Sequence, residues 1–85
     1  MRLAFDQNAF DDLAWWVSTD SRKAKRIISL IQETAKTPFS GRGKPEPLRH
    51  GLSGFWSRCI DDAHRLVYAV TDDEIRIIAC RFHYS

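Results

Sequence analysis

The chain has 85 residues, of which 44% are hydrophobic and 28% charged, so its size and composition suit one small globular domain and argue against wholesale disorder. It has no apolar run near the roughly 20 residues that a membrane-spanning helix needs, and its first residues, MRLAFDQNAF, carry an acid where a signal peptide would be apolar. We therefore expect a single domain over residues 1–85, located in the cytoplasm and without a membrane partner.

The net charge of +2 conceals an uneven distribution along the chain. Residues 1–20 sum to −3, whereas residues 21–49 hold eight bases and two acids and sum to +6. A strongly positive segment on a nearly neutral protein favours binding to a polyanion or to an acidic protein. The alternative is a solvated, lysine-rich helix face without a partner.

The first half of the chain predicts a short strand followed by two helices. Residues 1–5 (MRLAF) are apolar and read as the strand. The first helix has Asp6 or Asn8 as its N-cap and apolar residues at helical spacing, namely Ala9, Phe10, Leu13, Ala14 and Val17. The second starts at Asp20, ends at Thr37-Pro38 and carries the stripe Ala24, Ile27, Ile28, Ile31 and Ala35. The short link between them indicates a helical hairpin.

The second half predicts a loop over residues 38–53 and three strands, at residues 55–60, 65–71 and 75–84. The fold class is therefore α+β, in the order β-α-α-β-β-β, with the helical hairpin packed on one face of a mainly antiparallel sheet. The other face is expected to stay open, and polar strand residues would meet there: Arg58, Arg65, Arg81 and His83. Cys59 and Cys80 lack metal-ligand spacing and are interpreted as small, half-buried apolar residues without a disulfide.

Four motifs carry a family resemblance that covers almost the whole chain: TPF-x-G-x-GKPEPL, LSGFWSR, HRLVYAV and the terminal CRxHY. In combination they resemble the Txe/YoeB toxins of bacterial type II toxin–antitoxin systems, within the RelE/ParE superfamily. The resemblance implies a RelE-like fold and an endoribonuclease that cuts messenger RNA in the ribosomal A site without metal or cofactor. It also implies two partners, the 70S ribosome and a Phd/YefM-type antitoxin, and it leaves open a toxin homodimer.

The residues that match the family's catalytic positions are Glu46, Arg65, His83 and Tyr84. The chemistry of RNA cleavage is consistent with this set, because the RNA 2′-hydroxyl is itself the nucleophile. The reaction needs a base, a cation for the phosphorane charge and an acid for the 5′ oxygen, which Glu46, Arg65 and His83 would supply. Tyr84 would stack on a base or orient the substrate.

The loop around Glu46 is rigid by composition, because Pro45 and Pro47 fix φ on both sides of the carboxylate and so aim it. Cationic side chains near this loop and in the strands are expected to bind RNA phosphates: Arg42, Lys44, Arg49, Arg58 and Arg81. Cys59 stands where the family often has a second arginine, so one phosphate contact is expected to be missing.

The hairpin register sets a geometric condition on this site. A two-residue turn at Asp72-Asp73 with regular pairing would place Arg65 opposite Cys80, and hence Arg65 and His83 on opposite faces of the sheet. We therefore predict a three-residue connection, a β-bulge, or a chain that leaves the sheet near Phe82.

Each of these residues also has a plain structural interpretation. Glu46 could be a surface loop residue, His83 a merely exposed one, and Arg65 could pair with Asp61 or Asp62 across the turn. The aromatic and histidine residues outside the motif set read as core or accessory, namely Trp15, Trp16, Trp56, His50 and His64. Two rival functions remain: a non-catalytic relative that inhibits a target such as gyrase by binding it, and a basic RNA-binding module.

Overall fold

The computed structural model describes residues 1–48 and 54–82. Its elements are β1 (Arg2–Phe5), α1 (Gln7–Thr19), α2 (Ser21–Lys36), β2 (Glu46–Pro47), β3 (Phe55–Cys59), β4 (Arg65–Val70) and β5 (Glu74–Ala79). The predicted α+β fold is confirmed, and a two-residue strand, β2, lies within the predicted loop. Within the described ranges, no helix is long and apolar enough to cross a membrane.

The five strands form one mixed sheet in the order β1-β5-β4-β3-β2. Of the strand pairings within residues 1–48 and 54–82, that of β1 with β5 is parallel and the other three are antiparallel. The helical hairpin covers one face, where both helices and the sheet contribute to a single core. That core consists of Ala9, Trp16, Ala24, Ile27, Leu30, Ile31, Ile60, Leu66, Tyr68, Ile75, Ile77 and Cys80.

The helices form as predicted, but their buried faces are rotated from the predicted ones. In α2 the Asp20 side chain accepts a hydrogen bond from the Lys23 N–H and caps the helix, as expected. Its buried face includes Leu30, whereas Ile28, assigned to the stripe from sequence, is 41% exposed. In α1 Phe10 and Val17 are exposed and Trp16 is buried instead. Phe10 and Trp16 lie on either side of Ala9 and Leu13, and burying the larger indole removes more apolar surface from water.

The β4–β5 hairpin satisfies the predicted register condition in two ways. Its turn has two residues, because the Thr71 N–H donates to the Glu74 carbonyl oxygen across it. The pairing then shifts: Tyr68 lies opposite Ile77 but Val67 opposite Ala79, so one extra residue of β5 forms a bulge. In addition β5 ends at Ala79, earlier than the predicted strand. Because of the bulge, each β5 residue after it lies on the sheet face opposite to the one that regular pairing would give it.

Candidate active site on the open face of the sheet

Two predicted catalytic residues, Glu46 and Arg65, meet on the sheet face opposite the helices. Glu46 of β2 pairs in register with Ser57 of β3, and Ser57 pairs with Val67 of β4. Because alternate strand residues share a face, Arg65 lies on the same side as these three. Its Nη2 donates to Glu46 Oε1 at 3.0 Å, and its Nε donates to Ser57 Oγ at 3.0 Å. The two hydrogen bonds fix the plane of the guanidinium group.

The two charged groups differ in access to solvent. The Glu46 side chain is 64% exposed, whereas that of Arg65 is 15% exposed. The carboxylate is therefore open to a ligand, while the guanidinium group is held from below by Ser57. Ser57, itself buried, was missed in the sequence analysis. The register between residues 55–60 and 65–71 was the signal that could have placed it beside Arg65.

The alternative pairing of Arg65 with the preceding turn is wrong for Asp61. The Asp61 carboxylate instead binds Lys23 Nζ at 2.9 Å and accepts hydrogen bonds from the N–H groups of Ala63 and His64. Burial raises the pKa of Asp61, but these partners together outweigh it and hold the pKa below its usual range. Asp61 thus stays charged and keeps the turn before Arg65 in shape.

Arg58, predicted to bind RNA phosphates from the open face, is instead fully buried on the helix side of the sheet, so that prediction is wrong. Its guanidinium group donates to Glu33 Oε2, to Tyr68 Oη and to three backbone carbonyl oxygens. Those carbonyls belong to Thr37, Ser40 and Arg42, and we call the side chains of Arg58, Glu33, Arg42 and Tyr68 the Arg58 cluster. All three types of acceptor satisfy a charge that would otherwise be costly to bury.

The Arg58 cluster fixes the loop that leads to Glu46. Tyr68 Oη donates to the Pro38 carbonyl at 2.7 Å, and the Arg42 N–H and Nε both donate to the Glu33 carboxylate. The hydrogen bonds from Arg42 hold the pKa of Glu33 below its usual range. Gly41 has φ +115°, and a Cβ there would collide with the Glu33 carboxylate, so only glycine fits. The loop that carries the carboxylate is thus anchored through the core.

The remaining predicted RNA contacts have different environments. Lys44 is exposed and lies two residues before Glu46. Arg42 is bound to Glu33 and to Ser29 Oγ, with a side chain that is 54% exposed. Arg81 follows β5 and stacks its guanidinium carbon 3.5 Å from the centre of the Trp15 ring. Arg49, His83 and Tyr84 lie outside the described residues.

The described part of the site offers a carboxylate and a guanidinium group. Within residues 1–48 and 54–82, no three His, Cys, Asp or Glu side chains are grouped as a metal site would require. The two cysteines there are free thiols; Cys59 is half-buried as predicted, whereas Cys80 is fully buried. A basic and an acidic group held 3.0 Å apart can bind a phosphate and accept a proton from a neighbouring hydroxyl.

Comparison with known proteins gives one consistent family. The model of the YoeB-like toxins of bacterial type II toxin–antitoxin systems matches residues 5–84. The chain is 57% identical to toxin YoeB of Escherichia coli (strain K12) over 84 residues, covering 99% of this chain and 100% of that toxin.

Solved structures agree with this result. The YoeB/ParE toxin from Agrobacterium tumefaciens superposes with a TM-score of 0.94 at 43% identity, covering 99% of this chain and 100% of that one. YoeB from Staphylococcus aureus is 36% identical, with 99% of this chain and 98% of that one covered in each of two structures. Its dimer gives a TM-score of 0.91 and its heterotetrameric complex with the antitoxin YefM 0.87. The chain therefore belongs to the YoeB-like toxins of bacterial type II toxin–antitoxin systems.

Proposed function

We propose that this toxin is a ribosome-dependent endoribonuclease that cuts messenger RNA in the A site and so inhibits translation. The observation that carries the proposal is the Glu46–Arg65 pair on the open sheet face, which puts a base and a phosphate-binding cation within reach of one phosphodiester. A toxin that acted only by binding would have no need to hold an accessible carboxylate beside a guanidinium group fixed by a third side chain.

In the proposed reaction Glu46 removes the proton from the RNA 2′-hydroxyl, and the 2′ oxygen attacks the adjacent phosphorus. A bond forms between the 2′ oxygen and phosphorus as the bond to the 5′ oxygen breaks. Arg65 stabilises the negative charge that develops on the phosphoryl oxygens, and His83 donates a proton to the leaving 5′ oxygen. The products are a 2′,3′-cyclic phosphate, open to later hydrolysis to a 3′-phosphate, and a 5′-hydroxyl. Tyr84 orients the nucleotide by stacking.

The proposed RNA contacts beyond this centre are Lys44, Arg42, Arg81 and Arg49. Of these residues Lys44 is best placed for this role, since it is exposed and lies two residues before Glu46 of β2. Contacts of this kind add affinity with little sequence choice. Binding should weaken steeply as the salt concentration rises, because added salt reduces the free energy gained when RNA releases its counterions.

The proposed protein partners are a YefM-type antitoxin and a second copy of the toxin. The S. aureus relative is described in complex with YefM and also as a dimer, and it shares this fold over nearly its full length. The +6 charge of residues 21–49 is suited to an acidic partner segment.

The test is cleavage of ribosome-bound messenger RNA by purified toxin, with and without ribosomes, mapped by primer extension. We expect Glu46→Gln to slow cleavage by about 10²–10⁴-fold, because the base is lost. Arg65→Lys should slow it by about 10²–10³-fold, because lysine keeps the charge but cannot bond Ser57 and Glu46 together. The matched controls are Glu74→Gln and Arg76→Lys, an ion pair elsewhere on the same sheet, which should cleave normally.

The rival functions predict different results. If Glu46→Gln and Arg65→Lys still arrest growth at wild-type levels and no discrete cuts appear, the toxin acts by binding. Cleavage of free RNA at the same rate as ribosome-bound RNA would instead contradict the ribosome dependence alone.

A further inference from the structure

The chain leaves the sheet after Ala79, and side chains from distant elements then hold its backbone. The Cys80 N–H donates to Asp12 Oδ2 at 3.0 Å, and Trp16 Nε1 donates to the Cys80 carbonyl at 2.8 Å. Both groups of this one peptide residue are therefore bound by side chains of α1. We call Asp12, Trp16 and His64, together with the backbone they hold, the C-terminal latch.

Two residues further on, the backbone of Phe82 is held at both ends. Its N–H donates to His64 Nδ1 at 2.7 Å, and its carbonyl oxygen accepts the Arg65 N–H at 3.0 Å. Phe82 has φ +68°, a left-handed conformation that is unfavourable for a non-glycine residue. The residue as a whole is 60% exposed, so burial does not explain the conformation. The two hydrogen bonds to His64 and Arg65 hold Phe82 in this conformation instead.

The His64 ring is itself held in a defined orientation. It lies edge-on to the Trp16 ring, with 4.8 Å between centroids and an interplanar angle of 86°. Because Nδ1 accepts the Phe82 N–H, that nitrogen carries no proton, and the neutral ring has its hydrogen on Nε2. His64 is thus a fixed acceptor joined to Trp16 on one side and to Phe82 on the other.

His64 and its neighbour Arg65 connect the backbone of Phe82 to the Glu46 carboxylate. The next residue, Arg65, bonds Glu46 with its side chain and Phe82 with its backbone. The next residue after Phe82 is His83, the proposed acid. We propose that His64 is a positioning residue for the reaction: its bond to the Phe82 N–H fixes, relative to Arg65, the backbone immediately before the proposed acid. The inference rests on the proposed nuclease function.

The test compares two substitutions that differ in one acceptor atom. In His64→Asn the side-chain Oδ1 can take the place of Nδ1, whereas His64→Leu fills the space without an acceptor. Single-turnover cleavage of ribosome-bound messenger RNA, measured against toxin concentration, separates the maximal rate from the half-saturating concentration. We expect His64→Leu to lower the maximal rate about 10–100-fold with little change in half-saturation, since positioning acts on the chemical step. His64→Asn should stay within about 3-fold of wild type, because its acceptor restores the positioning.

A readout independent of cleavage keeps the two proposals apart. In nitrogen-labelled wild-type toxin, the N–H···N bond should give a scalar coupling between the Phe82 amide nitrogen and His64 Nδ1, and His64→Leu should lose it. Absence of that coupling in the wild type overturns the inference. Equal maximal rates for His64→Leu and His64→Asn, corrected for folded fraction, overturn it while leaving the nuclease function intact. A wild type that shows the coupling but never cleaves overturns both.

Discussion

The two chain segments that lead into the proposed site are held in place by different kinds of interaction. The Arg58 cluster holds the loop before Glu46 with a fully buried charge, one carboxylate and three carbonyl groups on the helix side of the sheet. The C-terminal latch holds residues 80–82 with separate hydrogen bonds from α1 and His64, at the sheet's end. The loop before the proposed base is therefore held by one connected network around a buried charge. The segment before the proposed acid is held by separate hydrogen bonds.

The largest expected effect comes from breaking the Arg58 cluster. Arg58→Met keeps most of the side-chain volume but leaves the Glu33 carboxylate and the carbonyls of Thr37 and Ser40 without their donor. Removing one partner from a buried charge network costs about 3–5 kcal/mol, so we expect the free energy of unfolding to fall by that amount. Urea unfolding followed by tryptophan fluorescence measures it.

The matched control for that substitution is Arg22→Met, an exposed arginine of α2. It should change stability by less than about 0.5 kcal/mol, as surface substitutions usually do. An Arg58→Met protein as stable as this control would show that the cluster is not the main anchor of the loop.

A smaller effect should appear on acidification, and it should be confined to the same region. The pKa of Glu33 is lowered in the folded state, chiefly by its hydrogen bonds from Arg42. Its contribution to stability is therefore present above the unfolded-state pKa and is lost as the pH falls through the lower, folded value. We expect wild type to be more stable than Glu33→Gln at pH 7, with the difference shrinking below about pH 4.5, the group's ordinary pKa.

Thermal unfolding of both proteins between pH 7 and pH 3 provides the measurement. Asp62→Asn, which removes an exposed carboxylate from the turn between β3 and β4, serves as the control and should not reproduce the trend. A stability difference that stays constant across this range would mean that the Glu33 charge does not support Arg58 and Arg42.

The smallest expected effect is on the reaction rates of the two thiols, Cys80 in the C-terminal latch and Cys59 in β3. Burial, and secondarily the charge of Asp12, raises the pKa of Cys80 in the latch to about 12. Only about one thiol in ten thousand is then ionised at pH 8, and the thiolate is the reactive form. Cys59 follows Arg58 in β3 but lies on the opposite face of the sheet, and it is half-buried, with its Sγ 3.2 Å from the Asp61 carbonyl oxygen.

We therefore expect a thiol reagent at pH 8 to modify Cys59 first and Cys80 only when the latch opens. The Cys59→Ser variant isolates the Cys80 signal, and absorbance of the released chromophore measures its rate. Modification of Cys80 in folded Cys59→Ser as fast as in urea would show that the latch does not close over it.

The sequence predicted much of the fold, because its signals are local. The Asp20 cap, the Thr37-Pro38 stop and the Asp72-Asp73 turn each depend on neighbours in the chain. The bulge in β5 was one of three alternatives predicted, since regular pairing would have separated residues expected to act together. The proximity of Glu46 and Arg65, though not their ion pair, was expected from the family motifs and from the needs of phosphodiester chemistry.

What the sequence could not supply were the partners of buried polar groups. An arginine in a strand reads as solvent-facing, and only the carbonyls of residues 37–42, brought close by the fold, make burial of Arg58 favourable. The alternation of strand residues did indicate that Arg58 faces the core, because it shares a sheet face with Trp56 and the two pair with Leu66 and Tyr68. The Asp12 and Trp16 contacts join residues more than 60 apart in the chain, which no local pattern reveals.

The parallel pairing of β1 with β5 also bears on the order in which the sheet assembles. Arg2 and Glu74 are 72 residues apart, whereas β4 and β5 are joined by a two-residue turn. Closing the longer loop costs about 2–3 kcal/mol more in chain entropy, so the β3–β4–β5 meander should nucleate first. Edge strand β1 would then dock last, on a surface already formed.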